Sequence, residues 1–360
     1  MFLGFLHYNT ALIFYFNISS EIEKNVLQQY KIWIAECYSC QIDIIELLNN
    51  SNLSKQLVVY TSHSRNRPEL VNLKYYFEQP KISESAPWLL QKCIEHNINI
   101  LFAGKHSHYL EALRPEFEAH QITLITGAVN HDFHDLINNK YQFTLKCEAQ
   151  NLPAIPARLA NSTESLQIAI HELQQQHAEL CVKPVYGVYG AGFVRLQNHV
   201  NYFKTFESSF KCNTQQFIEA YSQLEKPIEY LVMPYLTGRE CSVDIACSNG
   251  KVIAQTTRIK HDYFQECFLQ HPCHQTCIDL VELFQCDGLI NIQFKQDQDL
   301  NWHILEINPR PAGGFAYSKH TGVNLVAELF AEKLNVQLQR NITQSPVKAF
   351  PMSYSVKMDH

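Results

Sequence analysis

The chain has 360 residues, a formal net charge of -6, 18% charged residues and 46% apolar ones. At about 150 residues per domain this length predicts two or three domains with a sizeable core. The mild acidic balance excludes the basic excess of a nucleic-acid binder, and the apolar content excludes a disordered or fibrous chain.

The opening stretch MFLGFLHYNTALIFYFNISS is apolar but has no basic leader, and His7, Asn9 and Asn17 interrupt it. That leaves it short of the roughly 18 apolar residues of a spanning helix, so it reads as a strand-forming extension and no membrane partner is expected. From about Ser39 to Gly127 short apolar strands alternate with helical patterns. Leu57 to Tyr60, Ile98 to Phe102 and Ile122 to Ile125 are strand-like, while Ala86 to His96 and His108 to His120 have helical spacing. Alternation of this kind predicts an open parallel α/β sheet.

A turn cluster at Gly127 to Asp132 leads to a helix over Lys140 to Ala149, and the two prolines of NLPAIP mark an exit into extended chain. A helix follows over Ser162 to Gln176, with Asn161 and Glu164 read as its cap. Beyond it the chain is β-rich at Leu180 to Leu196, Tyr230 to Arg258 and Gly288 to Asn308, with helices such as Cys273 to Phe284 between, which is an α+β layout. After about Leu338 periodicity fades, and Ser345-Pro346 and Phe350-Pro351 point to a wrapping or partly ordered end.

Twelve cysteines are scattered with no repeated CxxC pair at metal-site spacing, which predicts reduced thiols in a cytoplasmic compartment. Cys37 and Cys40 have redox spacing but no redox context, and read as structural. In CFLQHPCHQTC, residues 267 to 277, the crowding of His271, Cys273, His274 and Cys277 is explained by buried thiols at a helix entrance, with zinc the less favoured reading.

Four stretches carry chemistry. CVKPVYGVYGAGFVRL, residues 181 to 196, sets two strand-like arms around Gly187, Gly190 and Gly192, with Lys183 ending the first arm. Backbone amides of such a loop can approach phosphates, although a plain glycine-rich hairpin has the same pattern. Lys140 opens its helix at the positive end of the macrodipole, which is unfavourable unless an anion lies nearby. In EYLVMPYLTGRECSVD the apolar run from Tyr230 reaches Met233, Pro234, Tyr235 and Leu236; a strand that stops pairing at a proline frees backbone groups for a planar base, and Glu240 then lies in reach of ribose hydroxyls.

The fourth stretch, GLINIQFKQDQDLNWHILEINPR, folds as a hairpin with Gln293 opposite Glu306, so that Gln293, Glu306 and Asn308 present hard oxygens on one face. Such oxygens suit Mg2+, and the planar fork of Arg310 suits a phosphate or acyl-phosphate oxygen.

These four stretches in this order resemble the ATP-grasp superfamily from about Asn139 to Leu334, and NIQF with EINPR is similar to the synthetase unit of carbamoyl-phosphate synthase. The resemblance implies an α/β architecture: an open parallel sheet (pre-ATP-grasp) domain within 1–128, then an α+β ATP-grasp fold of two subdomains over 129–338. Its lid would span about 155–232, and a tail 339–360 would follow. It also implies Lys140 and Lys183 on the nucleotide phosphates and Met233 to Leu236 on adenine, with Glu240 on ribose. Gln293, Glu306 and Asn308 would hold Mg2+, with Arg310 and Lys183 acting in catalysis. The implied reaction is carbon–nitrogen ligation, in which ATP converts a small carboxylate to an acyl phosphate and an amine displaces phosphate.

Met233-Pro234 stands where Gln-Glu or Glu-Lys is usual in the family, and Asn139 where Asp is common. Two rivals therefore stay open: a carbamoyl- or carboxyl-phosphate-forming enzyme acting on bicarbonate, and an ATP-binding module without catalysis. Self-association into a homo-oligomer is also open. Arg258 and Lys260 read as a solvated strand face, Tyr186, Tyr189 and Phe193 as flap packing or phosphate cover, and Lys319 and His320 as exposed loop residues.

Overall fold

The structure, a computed structural model, describes residues 29–351 apart from 38, 188–189, 201–209, 341 and 343–344. The proposed strand-forming extension and Tyr189 of the flap lie outside the described residues. Three sheets organise the rest.

The first sheet is parallel, in the order β3-β2-β1-β4-β5. It comprises β1 (Tyr30–Ile34), β2 (Leu57–His63), β3 (Tyr76–Glu78), β4 (Ile100–Phe102) and β5 (Thr123–Ile125). The expected alternation starts at Ser39 and so omits β1, the central strand. Ile32, Trp33 and Ile34 are all fully buried. A strand covered on both faces has no two-residue period to betray it. The helix expected over His108 to His120 is two pieces, Ser107–Glu111 and Arg114–Ala119, because Pro115 has no amide to continue the first and suits the first turn of the second. The helix Ile82–Glu95 begins a turn before its expected start and runs through Pro87.

After β6 (Gly127–Ala128), the helices His131–Asn138 and Lys140–Ala149 lead to a second sheet, in the order β10-β9-β8-β11-β7. Its strands are β7 (Arg158–Ala160), β8 (Leu180–Pro184), β9 (Val194–Leu196), β10 (Lys211–Cys212) and β11 (Tyr230–Pro234). The helices Thr163–Gln174 and Thr214–Ser222 cover one face, and their Leu166, Ile170 and Tyr221 pack with Val182 and Val232 in a separate core. The cap of the first helix is Ser162 rather than Asn161: the Ser162 side chain accepts from the Ser165 amide, and the Ser165 hydroxyl accepts from the Ser162 amide. Serine serves both positions of this box, so the glutamate signature sits one residue out of register.

The third sheet runs β16-β15-β12-β13-β14-β17, with β6 pairing the start of β15. Its strands are β12 (Glu240–Ser248), β13 (Lys251–Lys260), β14 (Gln265–Phe268), β15 (Cys286–Gln296), β16 (Trp302–Asn308) and β17 (Val347–Ala349). The helix His274–Leu283 buries Cys277, Leu280 and Val281 against one face. The helix Leu325–Leu334 fills the gap between the other face and the first sheet, so that Ile34, Phe102, Ala246, Leu289, Val326 and Phe330 belong to one continuous core. The tail contributes β17, an edge strand on β14.

Candidate functional site

A cleft of about 390 Å³ opens between the second and third sheets, within the range of small-molecule sites. Lys140, Lys183, Met233, Pro234, Tyr235, Leu236, Glu240, Gln293 and Glu306 all line it. Asn308 and Arg310 line a smaller adjoining cavity, which shares Lys140 and Glu306 with the first and reaches Gly104 and Ser107 beside the first sheet. All the residues assigned a role from the sequence thus converge on two contiguous hollows.

The lysines arrive from different elements. Lys140 follows Asn139, whose side-chain oxygen caps the helix by accepting from the amides of Tyr141 and Gln142 at 3.1 and 3.0 Å. The Asn139 amide nitrogen donates to the Tyr186 hydroxyl at 2.8 Å, tying the helix start to the glycine-rich flap. The ammonium of Lys140 donates to the Gly187 carbonyl at 2.7 Å and lies 3.9 Å from a Glu306 oxygen. Lys183, on β8, donates to the Leu305 carbonyl at 3.1 Å. Burial pulls both ammonium groups below the usual lysine pKa, and Glu306 opposes that pull. Two desolvated ammonium groups with a single carboxylate beside them favour a bound anion that would complete their neutralisation.

The flap turns back at Gly192, where φ is +75° and an added Cβ would meet Pro184 Cγ at 2.6 Å. Only glycine fits where the loop leaves β8 so closely.

The hairpin of β15 and β16 places Gln293 directly opposite Glu306 and Asn291 opposite Asn308, with an irregularity just after Gln293. The Asn308 amide donates to Glu306 Oε1 at 3.3 Å, and Arg310 Nη2 donates to Asn308 Oδ1 at 3.4 Å. Gln293 and Glu306 thus offer hard oxygens in the cleft with both lysines, and Asn308 offers a third in the adjoining cavity with Lys140, a donor set that fits Mg2+ and its preference for a few protein oxygens plus phosphate. Arg310 lines that cavity beside Asn308.

At the proposed hinge, β11 pairs with β7 only as far as Val232, while its pairing with β8 continues through Pro234. The Tyr235 amide does not stay free, since it donates to the Glu179 carbonyl at 2.9 Å. Ile155, Cys181, Val185, Leu231 and Met233 form a small apolar cluster with Phe193, Leu236 and Leu305 packed on it, giving the cleft the greasy floor a planar base requires. Glu240 begins β12 with its carboxylate 3.6 Å from Lys295. The sequence reading omits Lys295, Cys181 and Leu305 from the cleft. Lys295 was reachable, because it lies two residues past Gln293 on the same strand face.

Arg258 departs from its expected solvated face. It is 6% exposed and its guanidinium is bound to Asp244, with Nη2 to Oδ1 at 3.1 Å, and to Gln265 at 2.6 Å. Asn291 donates to the same Asp244 oxygen at 3.0 Å. A strand with a helix on one side and a covering loop on the other has no solvated face, so its arginine is paired inside. Lys260, Lys319 and His320 are exposed.

A family model described as "ATP-grasp in the biosynthetic pathway with Ter operon" matches residues 226–355. No curated protein sequence matches the chain. Among solved structures, the biotin carboxylase domain of Hydrogenobacter thermophilus 2-oxoglutarate carboxylase, in complex with MgADP, ADP and bicarbonate, superposes with a TM-score of 0.65. It is 12% identical over 87% of this chain and 71% of that one. N5-carboxyaminoimidazole synthetase from Staphylococcus aureus, complexed with ADP, gives 0.62 at 12% identity over 88% and 81%. The L-amino acid ligase of Bacillus licheniformis gives 0.60 at 13% identity over 89% and 75%.

Proposed function

The chain has an ATP-grasp fold, and from that premise we propose that it is an ATP-dependent ligase joining a carboxylate to an amine. In this reading a carboxylate oxygen attacks the γ-phosphorus and ADP leaves. The amine nitrogen then attacks the acyl carbon, phosphate leaves, and the amine gives up a proton. The observation that carries the reading is the meeting of Lys140 and Lys183 with Gln293 and Glu306 in one cleft, with Asn308 in the cavity that adjoins it.

Each residue has a task in this scheme. The two lysines neutralise the phosphates, a role that needs placement rather than a nucleophile. Glu306, Gln293 and Asn308 would hold Mg2+, which supplies charge neutralisation between the phosphates. Arg310 presents a planar fork to the acyl phosphate. Met233 to Leu236 would border adenine over the apolar floor, and Glu240 would take the ribose hydroxyls. Residues of about 155–232 act as the lid, and 129–338 as the whole nucleotide-binding unit, with 1–128 contributing to the acceptor side. Twelve free thiols among the described residues suit a reducing, cytoplasmic setting. Among those residues no helix is long and apolar enough to cross a membrane.

Bicarbonate is the second candidate carboxylate, because one structural neighbour was solved with bicarbonate beside MgADP. The test is ADP release with Mg-ATP against amino acids, dipeptides and bicarbonate. Coupled ADP and product formation with an amine supports ligation, and bicarbonate-dependent ADP release supports the second reading. Tight ATP binding with no ADP under any mixture refutes both and leaves a nucleotide-binding module.

A further inference from the structure

On β12, Glu240 faces the cleft, and the next residue, Cys241, enters the core on the opposite side of the strand, beneath the helix His274–Leu283. There Cys241 Sγ lies 3.9 Å from the Sγ of Cys273, the residue that caps this helix. A ring nitrogen of His271 completes a group whose three ligand atoms all lie within 4.8 Å of one another. We propose that Cys241, His271 and Cys273 bind a zinc ion, held by two thiolates and one imidazole. This site is independent of the nucleotide reading and uses none of its residues.

In the metal-free chain the two sulfurs share a hydrogen bond at 3.9 Å, and the same separation suits a metal held by both. Tetrahedral zinc with Zn–S bonds of about 2.3 Å sets two sulfurs about 3.8 Å apart, which is the separation found here without any movement. A disulfide would need the same atoms to close to about 2.0 Å. Two sulfurs and an imidazole are soft and borderline ligands that select zinc over Mg2+. Cys241 and Cys273 are 1% and 2% exposed, which shields the pair from solvent, whereas His271 is only partly buried and leaves a way in for the ion.

The second coordination features are also in place. The His271 ring packs edge-on against Trp302 at 5.1 Å, which fixes its plane. Its Nδ1 accepts the Cys273 amide at 3.3 Å, a long contact that a metal bond readily replaces. Cys273 at the helix amino end is where a thiolate is best tolerated. His274, though adjacent, is committed elsewhere, with Nε2 2.8 Å from the Thr257 hydroxyl. Three protein ligands leave the fourth position to water. The sequence favours buried thiols over zinc for residues 267–277; the reading changes because Cys241, thirty-two residues before Cys273, joins His271 and Cys273 in the fold.

The test uses the full chain, purified without chelator and dialysed, for zinc analysis by mass spectrometry and for Co2+ substitution. Stoichiometric zinc and an intense thiolate-to-cobalt charge-transfer band are expected. Both disappear in the Cys241→Ser/Cys273→Ser double variant and persist in Cys93→Ser, whose thiol is buried in the first sheet's core. Because the double variant removes two buried side chains, His271→Gln is the second probe: it is expected to lose the zinc that the wild type retains through dialysis, while its metal-free melt stays cooperative and matches that of the metal-free wild type. The proposal is overturned if the wild-type chain gives no thiolate-to-cobalt band and no retained zinc, or if the folded variants bind the metal as the wild type does.

Discussion

Replacing Glu306 by Gln isolates the charge of the cleft from its shape. The amide has the volume of the carboxylate and keeps an oxygen for the Asn308 contact at 3.3 Å, so the fold is expected to lose less than about 1 kcal/mol. The electrostatic loss is larger. At an effective dielectric near 20, a unit charge 3.9 Å away, the distance to the Lys140 ammonium, is worth about 4 kcal/mol. Solvent at the Glu306 side chain, 24% exposed, brings this to about 2 kcal/mol. A divalent ion carries twice the charge, so the same carboxylate is worth about 4 kcal/mol to it, or roughly a thousandfold in Mg2+ binding. Steady-state ADP release titrated with Mg2+ reads this directly. The half-saturating Mg2+ concentration is expected to rise by two to three decades, while Mg2+-free nucleotide binding holds or tightens because a carboxylate no longer faces the phosphates. An unchanged Mg2+ dependence at normal turnover would refute the assignment of Glu306.

Three further outcomes follow from other parts of the molecule. Asp244→Asn strands the buried Arg258 guanidinium and is expected to lower stability by about 3–5 kcal/mol in urea unfolding, with much of the loss recovered by adding Arg258→Met. His134, buried with Nε2 3.0 Å from the Ser107 hydroxyl, has its pKa lowered by burial from 6.5 to about 4. The unfolded chain therefore binds the proton first as pH falls below 6.5, and stability declines until the folded form also protonates near 4. The total loss is about 3 kcal/mol, and chemical denaturation at stepped pH checks it against a flatter His134→Gln profile. Gly127→Ala, at φ +102° with its new Cβ 2.3 Å from the Pro309 carbonyl, is expected to lower stability by about 1–3 kcal/mol and to slow ADP release more than it weakens nucleotide binding, since Pro309 precedes Arg310.

The sequence was most readable where polar residues interrupt a strand pattern. Glu306, Asn308 and Gln293 break apolar runs at two-residue spacing, and that spacing alone set them on one face and across from one another. Lys140 and Lys183 were legible because each sits at the end of an element beside a turn. What failed did so where context outside the local window decides. The strand Tyr30–Ile34 has no alternation, because helices cover both of its faces. Arg258 occupies an alternating strand position, yet its partner Asp244 comes from a neighbouring strand and the loop at Gly314 closes over it, with an added Cβ there 2.6 Å from its Nη1. Cys241 could not be joined to His271 and Cys273 by spacing, because their meeting depends on how β12 lies under a helix some thirty residues later.

The shared core between the first and third sheets sets how this molecule comes apart. Phe102 and Ile34 press on the same helix, Leu325–Leu334, that supports Ala246 and Leu289, so neither sheet can shed water-excluded surface alone. A calorimeter would register these two layers as one cooperative block. The second sheet keeps a separate interior around Val182 and Val232, and it is tied to the third through Leu305, which packs on Cys181, Leu231 and Met233 and takes the Lys183 ammonium on its carbonyl, so a substitution at Leu305 would reach both sheets at once.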